Sequence, residues 1–172
     1  MSTNVILNSL LNCNQSNILK IHFGNIKNNE IFYRNINPNI ISSIKVSLDK
    51  SYRKTHIKYV QYQFENKIMV INNKKCYSTE LIKSDSKQLD NIDILFSNLN
   101  NIPFNNVNFP CKKKYHNISE NEYDIFEINK NINLFIGNNH VFLEINKISN
   151  IIKFSNEILE LISLIDSLSK PI

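Results

Sequence analysis

Lys20 and His22 stand two residues apart in NILKIHFGN, residues 17–25. Alternate residues of an extended strand share a face, so an ammonium and an imidazole would point together, away from Leu19, Ile21 and Phe23. Two further stretches concentrate positive charge. CKKKYH, 111–116, sets Lys112 and Lys114 beside Tyr115, and KSYRKTHIKY, 50–59, gathers Lys50, Arg53, Lys54 and Lys58 around Tyr52 and Tyr59. Basic side chains interleaved with aromatics neutralise phosphates and stack on bases. The same residues also fit half-buried strand tyrosines with lysines on a solvated surface.

Other chemistries find little support. His22, His56, His116 and His140 show no paired metal-ligand spacing, and Cys13, Cys76 and Cys111 form neither a C-x-x-C nor an even set. The residue spacing therefore assigns no metal site and no disulfide framework. With only two glycines the chain has no phosphate-cradling loop, and no Ser/His/Asp order is present.

A chain of 172 residues with 42% hydrophobic content predicts one domain, 1–172, with a real core. Asn, Ile and Lys dominate, Ala and Trp are absent, and arginine occurs only at Arg34 and Arg53. This is the bias an extremely AT-rich genome produces, since the depleted residues have mostly GC-rich codons. A net charge of +5 permits a polyanionic partner without requiring one. The opening MSTNVILNSLL lacks a basic n-region and a cleavage site, and no apolar run reaches membrane-spanning length, so the expectation is an intracellular protein with no membrane partner.

Three helices and many strands must position these groups. TNVILNSLLN, from Thr3, has Ile6, Leu7, Leu10 and Leu11 on one helical side. Asn37 as cap and Pro38 at the first position predict a short helix over 38–48. HIKYVQYQF, KIMVI and KKCYSTELI read as a meander with turns at Glu65-Asn66 and Asn72-Asn73. Residues 84–110 contain one convincing strand, NIDILF; after them CKKKYHNI, YDIFEINK, INLFI and HVFLEINK restore the alternation. Gly137-Asn138-Asn139 reads as a hairpin turn because Gly and Asn tolerate positive φ. A closing helix spans KFSNEILELISLIDSLSKPI, with Ser155 as cap and Glu157 in its first turn. The order predicts an α+β fold whose short antiparallel strands hide their edges by closing into a tunnel-like barrel.

This order of elements, together with HVFLEINKIS followed by FSNEILELISLIDSLSKPI, resembles the RNA 5′-triphosphatase domains of large-DNA-virus mRNA capping enzymes, of the triphosphate tunnel metalloenzyme type. The resemblance implies two strands that each present Glu-x-Glu into the lumen to hold Mg²⁺ or Mn²⁺, and other strands whose Lys and Arg hold the triphosphate. By position, the first pair falls on Lys20 and His22, the second on Glu144 and Asn146, while Lys112 and Lys114 occupy the Lys-x-Arg strand. A single carboxylate beside an ammonium is a poor site for a hard dication. The expectation is thus a catalytically degenerate barrel without metal or cofactor. It would bind RNA or a triphosphate through Lys20, His22, Lys112 and Lys114, as a subunit of a transcription or capping complex in host cytoplasm or virion. Two alternatives stay open: an active Mg²⁺- or Mn²⁺-dependent triphosphatase with acids rearranged around Glu144 and Glu127, and a virion structural protein without chemistry.

Overall fold

The structure, a computed structural model, describes residues 6, 8, 18–28, 30–64, 67–72, 75–102, 117–146 and 151–170. In chain order its elements are β1 (Ile18–Lys27), β2 (Ile31–Tyr33), α1 (Pro38–Asp49), β3 (Arg53–Phe64), β4 (Lys67–Asn72), β5 (Lys75–Gln88), β6 (Asp93–Ile102), β7 (Asn117–Asn129), β8 (Ile132–Ile136), β9 (Val141–Asn146) and α2 (Ile151–Leu168). Eight strands run in the order β1-β6-β5-β4-β3-β7-β8-β9, and β9 returns to pair with β1. Every pairing is antiparallel, so the sheet is a closed α+β barrel, with β2 attached to the far end of β1.

The apolar face of β1 points outward. Leu19, Ile21 and Phe23 are fully buried because α1 and α2 cover this wall, meeting it with Ile41, Ile44 and Leu48 from one helix and Ile158, Ile162 and Ile165 from the other. Burial continues on the lumen side, so Ile18–Gly24 is buried throughout. A lysine and a histidine are therefore placed inside the barrel, on a stretch of strand with no wet face.

Local signals explain the helices unevenly. Asn37 caps α1 as expected, its Oδ1 accepting from the Asn39 backbone N–H at 2.9 Å, with Pro38 opening the first turn. α2 begins at Ile151, a turn earlier than expected, so Ser155 is not its cap and Glu157 is not in its first turn. Glu157 accepts instead from Asn129 Nδ2 at 2.6 Å, tying α2 to the end of β7. Two helices have described bounds; the expected N-terminal helix falls almost wholly outside the described residues, of which Ile6 and Asn8 are helical and Ile6 is buried in the core.

The polar stretch 84–88, expected to be loose, is instead the second half of β5. A register shift between Leu81 and Lys83 leaves Ile82 exposed, and beyond it Ser, Asp and Lys occupy both faces, so no alternation marks the strand. Likewise β6 runs on through the Asn-rich residues to Ile102. The expected turns at 65–66 and 72–73 and the expected strand at 111–118 lie outside or partly outside the described residues, but the strands flanking the two turns pair from Phe64 with Lys67 and from Asn72 with Lys75.

Gly137 does turn the β8–β9 hairpin, its N–H donating to His140 O at 2.8 Å, but without positive φ. A Cβ there would sit 3.0 Å from the Tyr123 ring, so a side chain would fit only if the ring gave way by a few tenths of an ångström. Gly24 is constrained similarly, since a Cβ would collide with the Tyr33 carbonyl oxygen where β2 crosses β1.

Candidate functional site

An eight-stranded barrel has an interior just wide enough for side chains to fill. Here part of it is plugged: Val70, Tyr123, Phe135 and Phe142 are buried together, with Ile57, Ile68 and Ile125 packed against them. Phe135 and Phe142 stack with centroids 4.6 Å apart, and Tyr123 stands edge-on to Phe142 at 5.5 Å. Against this plug lies a cavity of about 130 Å³, its lining including Lys20, His22, Arg34, Gln61, Gln63, Ser97, His140 and Phe142.

Register builds the polar wall. Lys20 lies opposite Ser97 on β6 and opposite Glu144 on β9, and His22 lies opposite Phe142. Lys20 is only 9% exposed, with Nζ 4.0 Å from Glu144 Oε2 and 5.2 Å from the Phe142 centroid. Burial lowers the Lys20 pKa from its ordinary value; Glu144 opposes the shift and Arg34 adds to it. Burial, then the charges of Arg34 and Lys20 and the nearby His140, holds His22 well below the usual imidazole range. His22 is thus neutral at physiological pH, with one N–H donor and one acceptor nitrogen. His140 is shifted down by burial and by Arg34, while Arg34 itself is exposed at the mouth.

The residues singled out from sequence are distributed as follows. Lys20 and His22 meet in one cavity, and Glu144 stands beside Lys20. Glu127 shares the lumen-side register, opposite Asn133, which is itself opposite Glu144. It is exposed, and its backbone lies two strand spacings from that of Glu144, about 10 Å at ~4.8 Å per strand. Lys112 and Lys114, with Cys111 and His116, lie outside the described residues. Arg34 and His140 were not visible as a site. For His140 a signal existed, because 140, 142 and 144 continue one alternating row into β9.

The stretch 50–59 takes a different role. Its outward residues on β3 face acids on β7: Lys58 lies opposite Glu122, and His56 Nδ1 is 2.9 Å from Asp124 Oδ1. Asp124 also takes Lys45 of α1 at 3.3 Å, and Lys54 reaches Asp49 at 3.5 Å. Burial alone would raise the Asp124 pKa, but hydrogen bonds from His56 and Lys45 pull it below the ordinary carboxylate value. Lys54 and His56 of this stretch are therefore paired with acids, and Lys54–Asp49 and Lys45–Asp124 join α1 to the barrel.

Mg²⁺ or Mn²⁺ does not fit these donors. Such ions take several hard oxygen ligands, whereas Glu144 has Lys20 as its neighbour, and among the described residues no three His, Cys, Asp or Glu side chains group closely enough to share an ion. The arrangement suits a negatively charged ligand. No helix among the described residues is long and apolar enough to cross a membrane.

No protein-family model matches the sequence, and no curated protein matches it. Solved structures do match the fold. The S. pombe Pct1 RNA triphosphatase aligns with TM-score 0.63 and 12% identity, over 96% of this chain and 87% of that one. The mimivirus capping enzyme triphosphatase aligns with TM-score 0.58 and 13% identity, over 94% and 95%. Pct1 in complex with the Spt5 CTD gives 0.61 and 11%, over 92% and 83%. The chain thus has the fold of triphosphate tunnel RNA triphosphatases.

Proposed function

We propose that this protein is a catalytically degenerate triphosphate tunnel barrel that serves as a binding or assembly subunit in the transcription or mRNA capping apparatus of a virus with an AT-rich genome. One observation carries the reading: the strand position given to the first acidic pair by the family resemblance holds Lys20 and His22, both buried and both lining the lumen. Hydrolysis of a triphosphate needs charge neutralised at the leaving phosphoryl group. A lumen that presents an ammonium where a metal ligand is needed retains attraction for the anion and loses the means to bring in the ion.

RNA and a protein of the transcription machinery are the proposed partners. A relative in fold is known in complex with the Spt5 CTD, which makes a transcription protein a reasonable partner class here too. The second reading, an active enzyme, rests on Glu127 and Glu144 sharing one register row of the barrel wall. Incubating the purified protein with triphosphate-ended RNA and Mg²⁺ or Mn²⁺ separates the two. No phosphate is released on the degenerate reading, and RNA retention falls steeply with salt because releasing condensed counterions into more concentrated salt gains less free energy. Phosphate release that Glu144→Ala abolishes would establish the active enzyme instead. Failure to bind RNA, with stable incorporation into particles, would indicate a structural protein.

A further inference from the structure

We propose that β2 is a docking edge for a second copy of this chain, the two β2 strands pairing antiparallel across a two-fold axis at Phe32. Among the described residues every barrel strand has at least two neighbours, whereas β2 has β1 alone. It is the open edge of the sheet, and an open edge is a template for another strand. The ribbon that β2 forms with the end of β1 is closed on its other side, where the Ile26 backbone N–H donates to Asp93 Oδ2 at 2.7 Å. An added strand therefore joins at β2.

Exposure marks the same edge. Ile31 is 51% and Tyr33 41% exposed, and alternation puts both on one face. The other exposed large hydrophobics among the described residues, Val46 on α1 and Ile82 on β5, each stand singly. Neither a proline nor a charge interrupts Ile31–Tyr33, the devices that commonly blunt a free edge.

Charge selects a second copy as the occupant. Glu30-Ile31-Phe32-Tyr33-Arg34 complements its own reversal. The axis at Phe32 sets Ile31 opposite the partner's Tyr33 and Glu30 opposite the partner's Arg34, and symmetry repeats both contacts. Directly opposite residues share a face, so apolar meets apolar on one side of the ribbon and acid meets base on the other. A slip of one or two residues in either direction removes both ion pairs, which fixes the register. Five residues at ~3.4 Å each span only about 17 Å, well short of the ~800 Å² per partner of a standard interface, so the dimer is weak and concentration-dependent. Because Arg34 lines the mouth of the lumen cavity, pairing also brings the partner's Glu30 to that mouth.

Sedimentation of the full chain over a concentration series tests the pairing, with far-UV circular dichroism confirming the fold of each variant. The weight-average mass is expected to rise from 20.1 kDa towards twice that value and no further. Ile31→Asp and Arg34→Glu, both at exposed positions, are each expected to weaken association roughly tenfold, since each acts twice across the axis. Adding Glu30→Arg to Arg34→Glu exchanges the charges and is expected to restore association, which loss of folding cannot mimic. A mass of 20.1 kDa at every concentration assigns the edge to a different polypeptide and overturns the dimer. Growth beyond two copies, association unchanged by Ile31→Asp, or no recovery in the charge exchange overturns the two-fold register.

Discussion

Burying His22 as a neutral ring makes the stability of the barrel depend on pH in a direction that can be worked out. In the unfolded chain an imidazole titrates near 6.5, while burial and the Arg34 and Lys20 charges keep folded His22 well below that. As pH falls through 6.5, the unfolded chain takes up a proton that the folded chain does not accept, so acidification destabilises the fold. The slope approaches ~1.4 kcal/mol per pH unit for one group, and integration from pH 6.5 to 5.5 gives about 1 kcal/mol. Half-buried His140 acts in the same direction. Asp124, whose lowered pKa stabilises the fold above the unfolded carboxylate value near 4, loses its contribution only at more acidic pH and does not enter this window. Urea unfolding at pH 7.5, 6.5 and 5.5, in buffers without phosphate because a bound anion would itself stabilise the fold, should show the loss. His22→Gln keeps an N–H donor but cannot titrate, and should remove about 1 kcal/mol of the fall between pH 6.5 and 5.5. The same fall in both proteins would refute the placement of a neutral His22 in the lumen.

Three other substitutions test the scaffold by urea unfolding at neutral pH. Asp166→Ala should cost about 1–3 kcal/mol, because Asp166 Oδ1 accepts the Asn91 and Ile92 backbone N–H groups at 2.8 and 3.1 Å and fastens α2 to the turn before β6. Gly24→Ala should destabilise by about 1–3 kcal/mol by pushing β2 off β1; an unchanged midpoint would contradict the close approach to Tyr33. Ile44→Ala removes a fully buried side chain between α1 and the barrel wall and should cost about 2–5 kcal/mol.

Where one face of an element was apolar, the sequence carried the fold. β1, β8, β9 and the stripe of α2 follow their periodicities closely, and the Asn37-Pro38 start of α1 is a local signal that survives folding. The polar half of β5 was not readable, because its register shifts at Leu81–Lys83 and both faces are then polar. Gly137 marked the right turn for the wrong reason, since its φ is not positive and the Tyr123 ring that crowds the position comes from β7, a contact no local pattern encodes. For the site, Lys20 and His22 were visible from alternation alone, but closing the barrel was needed to show that they share a cavity with Arg34 and His140. Glu127 illustrates the converse: it shares a register row with Glu144, yet is exposed and separated from it by a whole strand.

On the proposed reading, basic groups stand in the lumen where metal ligands would be needed, and Mn²⁺ binding tests that reading directly. In an electron paramagnetic resonance titration of the full chain, added Mn²⁺ is expected to keep the signal of the free aqueous ion. A stoichiometric bound Mn²⁺ that disappears in Glu144→Gln would contradict it.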